Sequence, residues 1–388
     1  MINQIRIENF RSIKSATVFL PSFGAIVGKN ASGKTNLVHA ISFARALVTG
    51  RSTLEAQKKI TILPHELLNI SKDSTGDQNI YFSFDIESSG QKKYCLEFSM
   101  QLNDNGENSI ADVSEFHIVM ERLFRIISEK KKNKIYERSG SKLRDALDKD
   151  IPLKVESTKL VLALYNQPDV NQVRLSFARI RIPEPESISS RELLVLSGVP
   201  PVKTRGLAHL LLSLQRTDPE AFEKFKNIAK DLVPSITTLE NTQIEGGDPE
   251  QPTYLFLFSE QNLTSKLSMF GMSDGDLRSL YLIAAILSLR PLSTIVIDEI
   301  ENGLHPDRAI RLIKYLENIA RIGQIQVLFT THSPDVINKL SVEEIIFVGK
   351  DKNGDSQFKL LIDSEQLSII KKMLKEGTQM SDFLDSFN

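Results

Sequence analysis

The sequence predicts an α/β fold: a mixed, largely parallel core sheet flanked by helices, with an N-terminal antiparallel β subdomain and a largely helical insertion in mid-chain. Two observations carry this reading. Beyond residue 206, helical and strand-like stretches alternate, and that order implies parallel pairing through crossover helices. Near the N-terminus, short runs with apolar residues at every second position follow one another with only turns between them, as antiparallel hairpins do. The 388 residues leave room for two or three units. We divide them into an N-terminal lobe over 1–100, an insertion over 101–205 whose own fold the sequence leaves open, and a C-terminal lobe over 206–388.

The elements follow in order. Ile5 and Ile7 alternate with polar neighbours, Ala16 to Leu20 form a second β-prone run, and Ala25-Ile26-Val27 is a short buried strand. Leu37, Ile41, Ala44 and Val48 then recur at helical spacing, with Gly50 placed to end the helix. Ile80 to Ile86 and Tyr94 to Met100 are strand-like. The insertion holds a basic cluster (Lys130, Lys131, Lys132, Lys134), an acidic stretch (Pro183, Glu184, Pro185, Glu186) and the Pro200-Pro201 pair. After Gly206, the residues Leu207, Leu210, Leu211 and Leu214 describe one apolar helical stripe, and Asp218-Pro219 opens a second helix as N-cap and first helical residue. Tyr254 to Phe258 reads as a strand. Leu277 to Leu289, Thr294 to Ile297, Asp307 to Ala320 and Ile325 to Phe329 read as helix, strand, helix and strand. No internal repeat or low-complexity tract interrupts them.

Composition excludes several classes. Apolar residues make up 41% and charged residues 25%, ordinary values for a globular chain. A net charge of -1 carries no global basic field that would advertise nucleic acid. Cys95, the single cysteine, excludes an internal disulfide and a cysteine-based zinc site. No apolar run is long enough for a membrane span, and the N-terminus does not read as a signal peptide. A soluble, cytoplasmic protein without a membrane partner is expected.

Four motifs carry chemistry. Gly28-Lys29-Asn30-Ala31-Ser32-Gly33-Lys34-Thr35, between an apolar strand and an amphipathic helix, matches the G-x-x-x-x-G-K-[ST] phosphate loop. Its glycines let backbone N–H groups converge on phosphate oxygens at a helix N-terminus. Lys34 is expected to reach the β- and γ-phosphates and Thr35 to ligate Mg²⁺. Thr294 to Ile297 deliver Asp298 and Glu299 to the end of a buried strand, the first placed for the Mg²⁺ shell, the second for the attacking water. His332, in Thr330-Thr331-His332-Ser333-Pro334, ends another buried strand and is placed to contact the γ-phosphate or that water. Met272 to Arg278 open a helix in which Ser273 and Gly275 form either an anion site or, with Asp274, a simple N-cap.

In this order the motifs resemble the ABC-type P-loop ATPase heads, within the branch that contains RecF, SMC proteins and the OLD-like ATPases. Ile5 to Ser12, including Arg11, is similar to that branch's first strand, and Gly28 to Asn36 has its usual phosphate-loop form. Met272 to Arg278 resembles its signature, and Glu301-Asn302-Gly303-Leu304-His305-Pro306 resembles the OLD-like stretch after the catalytic glutamate. The likeness covers residues 1 to about 50, 206–240 and 253–335. It departs from the usual pattern at His305, where many ABC ATPases carry aspartate. The glutamine that couples the nucleotide to the inserted region is not identifiable beyond the candidate Gln101, and no tryptophan is present to stack on adenine. The stretch after His332 is shorter than the Toprim nuclease domain that follows the ATPase in OLD nucleases, so that domain is not expected here.

The resemblance implies an Mg²⁺-dependent ATP hydrolase with ATP and Mg²⁺ as cofactors. Residues 28–36 and Arg11 would hold the nucleotide, Thr35 and Asp298 the metal, and Lys34, Glu299 and His332 would act in catalysis. Two heads would meet head to tail as a homodimer or higher oligomer, with Ser273 and Gly275 completing the partner's site. A chain of this kind without a nuclease domain is expected to gate a separate effector, a nuclease or toxin, in bacterial anti-phage defence. Two alternatives stay open: a RecF-like DNA-binding ATPase of repair and recombination, with Lys130 to Lys134 either touching phosphate or forming a solvated loop, and a scaffold assembled by ATP.

Overall fold

A computed structural model of the chain describes residues 1–60, 64–69, 79–103, 115–183, 194–195, 206–243, 253–260, 264–268, 271–363 and 367–386. Strands β1 (Ile2–Phe10), β2 (Ile13–Phe19) and β3 (Phe23–Val27) lead into helices α1 (Lys34–Val48) and α2 (Thr53–Lys59). Then come β4 (Asn79–Glu87), β5 (Lys93–Asn103), β6 (Glu115–Ser128), β7 (Lys131–Ser139), β8 (Lys142–Asp145), α3 (Pro168–Ala178) and β9 (Ile180–Arg181). The middle of the chain holds β10 (Leu194–Val195), α4 (Leu207–Thr217), α5 (Pro219–Leu232), β11 (Ile236–Gln243), β12 (Thr253–Glu260), β13 (Leu267–Ser268) and α6 (Asp274–Leu287). The last part runs β14 (Thr294–Ile297), α7 (Pro306–Gly323), β15 (Gln326–Thr331), α8 (Pro334–Ile337), β16 (Ile345–Lys350), β17 (Ser356–Leu360), α9 (Leu367–Lys375) and α10 (Met380–Ser386). These form two units, one of Met1–Arg181, Leu292–Asp298 and Leu328–Asn388, the other of Ile182–Pro291 and Glu299–Val327.

The first unit contains two sheets. One has seven antiparallel strands in the order β2-β1-β4-β5-β6-β7-β8. Its inward positions alternate along β4 as Ile80, Phe82, Phe84 and Ile86, and this face receives α1 and α3. Phe82 lies 5.4 Å from Phe10 and 5.2 Å from Phe98 between ring centroids, while Phe43 of α1 and Phe177 of α3 close on the same cluster. Each of these fully buried rings contributes about 2–3 kcal/mol by removal from water. The six-stranded sheet runs β17-β16-β3-β15-β14-β9, with β16 parallel to β3, β14 parallel to β9, and β17 an antiparallel edge. Its strands β3, β14 and β15 are buried at every residue, as strands covered on both faces are.

The antiparallel sheet does not stop at residue 100. Within the described part of 101–205, β6, β7 and β8 extend it, and the helical part is α3. β6 hides this from a periodicity reading because register shifts fall between Ser99 and Met100 of its neighbour and at Leu123/Phe124 within it. A bulge of this kind breaks the period-two pattern. The residues Glu184 to Glu186 and Pro200-Pro201 lie outside the described residues.

The second unit packs α4, α5, α6 and α7 with a small sheet ordered β10-β12-β11, to which β13 adds. Leu207, Leu210, Leu211 and Leu214 of α4 are buried, as the stripe predicts, and so are Phe222, Phe225 and Leu232 of α5. Asp218 caps α5 by accepting from the Ala221 N–H at 3.0 Å, with Pro219 at the first helical position. Among the described residues, no helix is long and apolar enough to cross a membrane. The molecule has the mixed α/β architecture of an ABC-type ATPase head, with an antiparallel N-terminal subdomain.

Candidate functional site

Within the first unit, residues 28–33 turn sharply between β3 and the start of α1. Ala31 and Gly33 both take left-handed backbone, with φ of 62° and 111°. A Cβ at Gly28 would strike the Val348 carbonyl oxygen on β16, and one at Gly33 would strike the Ser356 hydroxyl on β17. Glycine at both positions is therefore a steric requirement. Lys34, at the N-terminus of α1, folds back so that Nζ donates to the carbonyls of Gly28 at 2.7 Å and Lys29 at 2.9 Å. Ser32 Oγ is buried and has no hydrogen-bond partner among the described residues.

A chain of side chains braces the loop from behind. Asn36 Nδ2 donates to Ser12 Oγ at 2.5 Å, Ser12 and Ser356 share a hydrogen bond of 2.7 Å, and Ser356 Oγ donates to the Ser32 carbonyl at 2.6 Å. Arg11, with φ of 52°, lies beside α1, its Nη1 2.5 Å from Nδ1 of His39. Burial, helped by the Arg11 charge and opposed by Asp298, pushes the His39 imidazole down to about 4, so near neutrality it is uncharged and accepts from Arg11. At the end of β14, Asp298 Oδ1 accepts from Thr330 Oγ1 of β15 at 2.5 Å and lies 3.5 Å from Thr35 Oγ1. His332, exposed just after β15, lines one pocket with Gly28, Lys29, Pro334 and Leu384. The first unit thus brings together the phosphate loop, Thr35, Asp298, Arg11 and His332.

The second unit holds Glu299, Ser273 and Gly275. Glu299 follows Asp298 in the chain, is exposed, and takes left-handed backbone with φ of 48°. Ser273 is the N-cap of α6: its Oγ accepts from the Asp276 N–H at 3.1 Å and donates to Asp276 Oδ2 at 2.6 Å. Asp276 is also paired with Arg308 of α7. Gly275 is buried, and a Cβ there would lie 2.5 Å from the Gly303 carbonyl oxygen. His305 is exposed at the N-cap of α7, 3.9 Å from Asp307.

Comparison with known families decides the family. The model described as "AAA domain, putative AbiEii toxin, Type IV TA system" matches residues 23–338, well over half of the chain. The chain belongs to this AAA-domain family. Among solved structures it is similar to an SMC head bound to the C-terminal winged-helix domain of ScpA, with a TM-score of 0.56 and 14% identity over 92% of this chain and 96% of that one. It is also similar to an SMC head domain with an extended coiled coil bound to the C-terminal domain of ScpA derived from Pyrococcus furiosus, with a TM-score of 0.50 and 14% identity over 97% of this chain and 99% of that one. At that identity the likeness is one of fold. No curated protein matches the chain.

The AAA domain's loop suits a polyphosphate on its own geometry. It turns at two positions too tight for a side chain, runs into a helix N-terminus, and carries an orphaned hydroxyl, Ser32 Oγ. Thr35 and Asp298 supply two oxygen donors. Among the described residues no group of three or more His, Cys, Asp or Glu could hold a metal. A hydroxyl and a carboxylate oxygen suit a hard cation that takes its remaining ligands from phosphate and water, as Mg²⁺ does.

The motif reading missed His39, Thr330 and Ser356. Thr330 carried a signal, a polar residue at the end of a buried strand beside the strand of Asp298. Ser356 carried none, because it reaches the loop from 324 positions away. In the lysine cluster, Lys132 Nζ lies 3.1 Å from Cys95 Sγ on β5, and Lys134 pairs with Glu137 on β7 and with Asp148 just after β8, so these two of the four are engaged by the antiparallel sheet. Gln101 is exposed on β5, opposite Asn79 and His117.

Proposed function

We propose that the chain is an Mg²⁺-dependent ATP hydrolase of OLD-like type, whose heads pair head to tail around ATP and gate a separate effector in bacterial anti-phage defence. The observation that carries the reading is the meeting of Thr35 and Asp298, 263 positions apart, with Thr330 fixing the carboxylate between them. This gives Mg²⁺ a hydroxyl and a carboxylate beside the phosphate loop. When bound, the metal neutralises charge on the β- and γ-phosphates.

The chain's own residues do the rest. Main-chain N–H groups of residues 29–35 hold the phosphates. Lys34 Nζ exchanges the carbonyls of Gly28 and Lys29 for phosphate oxygens, and Arg11, held by His39, adds a second cation. Glu299 accepts a proton from the attacking water, His332 orients that water against the γ-phosphate, and ADP and phosphate leave. Ser273 and the α6 N-terminus complete the partner's site, so loss of the γ-phosphate removes the bridge between heads. The description of the family in terms of a toxin and a type IV toxin–antitoxin system supports a paired effector. The SMC heads solved with ScpA domains supply a precedent for a partner protein on this fold.

Steady-state ATP hydrolysis, with and without linear double-stranded DNA, tests the proposal. Glu299→Gln should lower kcat about 100-fold or more while ATP still binds. Full activity in that variant contradicts the assignment. Stimulation by DNA would instead favour the repair ATPase.

A further inference from the structure

The stretch that begins at Glu299 is gripped at both ends by the first turns of α6. At its far end the Gly303 carbonyl oxygen lies so close to Gly275 that only glycine fits there. At its near end the Glu299 carbonyl oxygen accepts two hydrogen bonds, from the Asn302 N–H at 3.0 Å and from Arg278 Nη2 at 2.7 Å. Arg278 is buried, with 9% of its surface exposed. A guanidinium is costly to remove from water, and here its Nη2 is aimed at a main-chain oxygen. The residue it holds is the one whose φ of 48° a side-chain-bearing residue adopts only when its surroundings impose it.

We infer that Arg278 is a positioning residue for Glu299: by binding the Glu299 carbonyl oxygen it fixes the left-handed backbone from which the carboxylate projects. This rests on the proposed role of Glu299 as the base. It assigns Arg278 no contact with nucleotide or water. Because Arg278 lies one turn beyond Ser273 and Gly275, the same helix that offers its N-terminus to the partner's nucleotide sets the aim of its own subunit's Glu299. Asp276 and Arg308 tie that first turn to α7, so the anchor of Arg278 does not swing freely.

The test compares Arg278→Met, which keeps the volume and removes the donors, with Arg278→Lys, which keeps a charged donor. It uses the full chain and reads kcat alongside equilibrium binding of ATP. Arg278→Met should lower kcat about 10- to 100-fold, the range expected when a catalytic group is displaced by about 1 Å. ATP affinity should change by less than about twofold, and Arg278→Lys should recover part of the loss. In a Glu299→Gln background, Arg278→Met should change the residual rate by less than about twofold, since the group it aims is gone. A wild-type kcat in Arg278→Met, an undiminished effect in the Glu299→Gln background, or a parallel loss of ATP binding would each overturn the inference. If Arg278→Met does not fold, Arg278→Gln takes its place; failure of both to fold makes Arg278 a folding residue and also overturns it. The two readings fail separately. A fully active Glu299→Gln sinks the base assignment, whereas a fully active Arg278→Met beside an inactive Glu299→Gln sinks only this inference.

Discussion

His39 shows how one residue carries both stability and site geometry. Its imidazole is half-buried against Arg11 and is held at about 4, below the ordinary 6.5. Between those values the unfolded chain takes up a proton that the folded chain refuses. The stabilisation is therefore complete above pH 6.5 and is lost as the pH falls through about 4. Replacing His39 with Gln keeps an acceptor for Arg11 and removes the titration. Urea midpoints measured across this window should fall less steeply with acidification in His39→Gln than in the wild type, with ATP affinity preserved above pH 7. Identical profiles would mean that His39 titrates normally in the folded chain.

Elements were legible in the sequence where one local rule decided them. The α4 stripe, the Asp218-Pro219 cap of α5 and the apolar β14 are read from neighbouring residues, and the structure forms all three. The tight turn over residues 28–33 was legible for the same reason, since its glycines answer to steric demands that few other sequences meet. The brace behind it was not. Ser12, Asn36 and Ser356 meet through tertiary packing, and no spacing rule links positions so far apart. The strands β6 and β7 were hidden by bulges and by a buried polar anchor that resembles a surface residue. Glu121, fully buried on β6, accepts from Tyr136 Oη at 2.5 Å and Leu162 N–H at 2.9 Å through Oε1, and from Val161 N–H at 2.6 Å through Oε2. Burial pushes its carboxyl up, and the three donors oppose that shift. Glu121→Gln leaves too few acceptor oxygens for those donors, so it should destabilise by about 1–3 kcal/mol. Chemical denaturation reads this directly. ATP affinity should not move, because the anchor holds the 160–162 turn to the sheet rather than the phosphate loop.

At the scale of the whole molecule, the first unit gathers the phosphate loop, Thr35, Asp298 and His332, while the second carries Ser273, Gly275 and Glu299. The Ser273 hydroxyl is engaged with Asp276 at the N-cap of α6, so under the proposed function it changes partners when a γ-phosphate binds. Head-to-tail pairing around ATP is therefore the central claim, and the mass of the Glu299→Gln chain in solution tests it most directly. Light scattering coupled to size exclusion, at an Mg²⁺-ATP concentration that saturates binding, should give twice the mass of the chain. Without nucleotide, and with Ser273→Arg added, it should give the mass of a single chain. A single-chain mass with ATP bound, or a doubled mass that persists in the Ser273→Arg variant, would contradict the account.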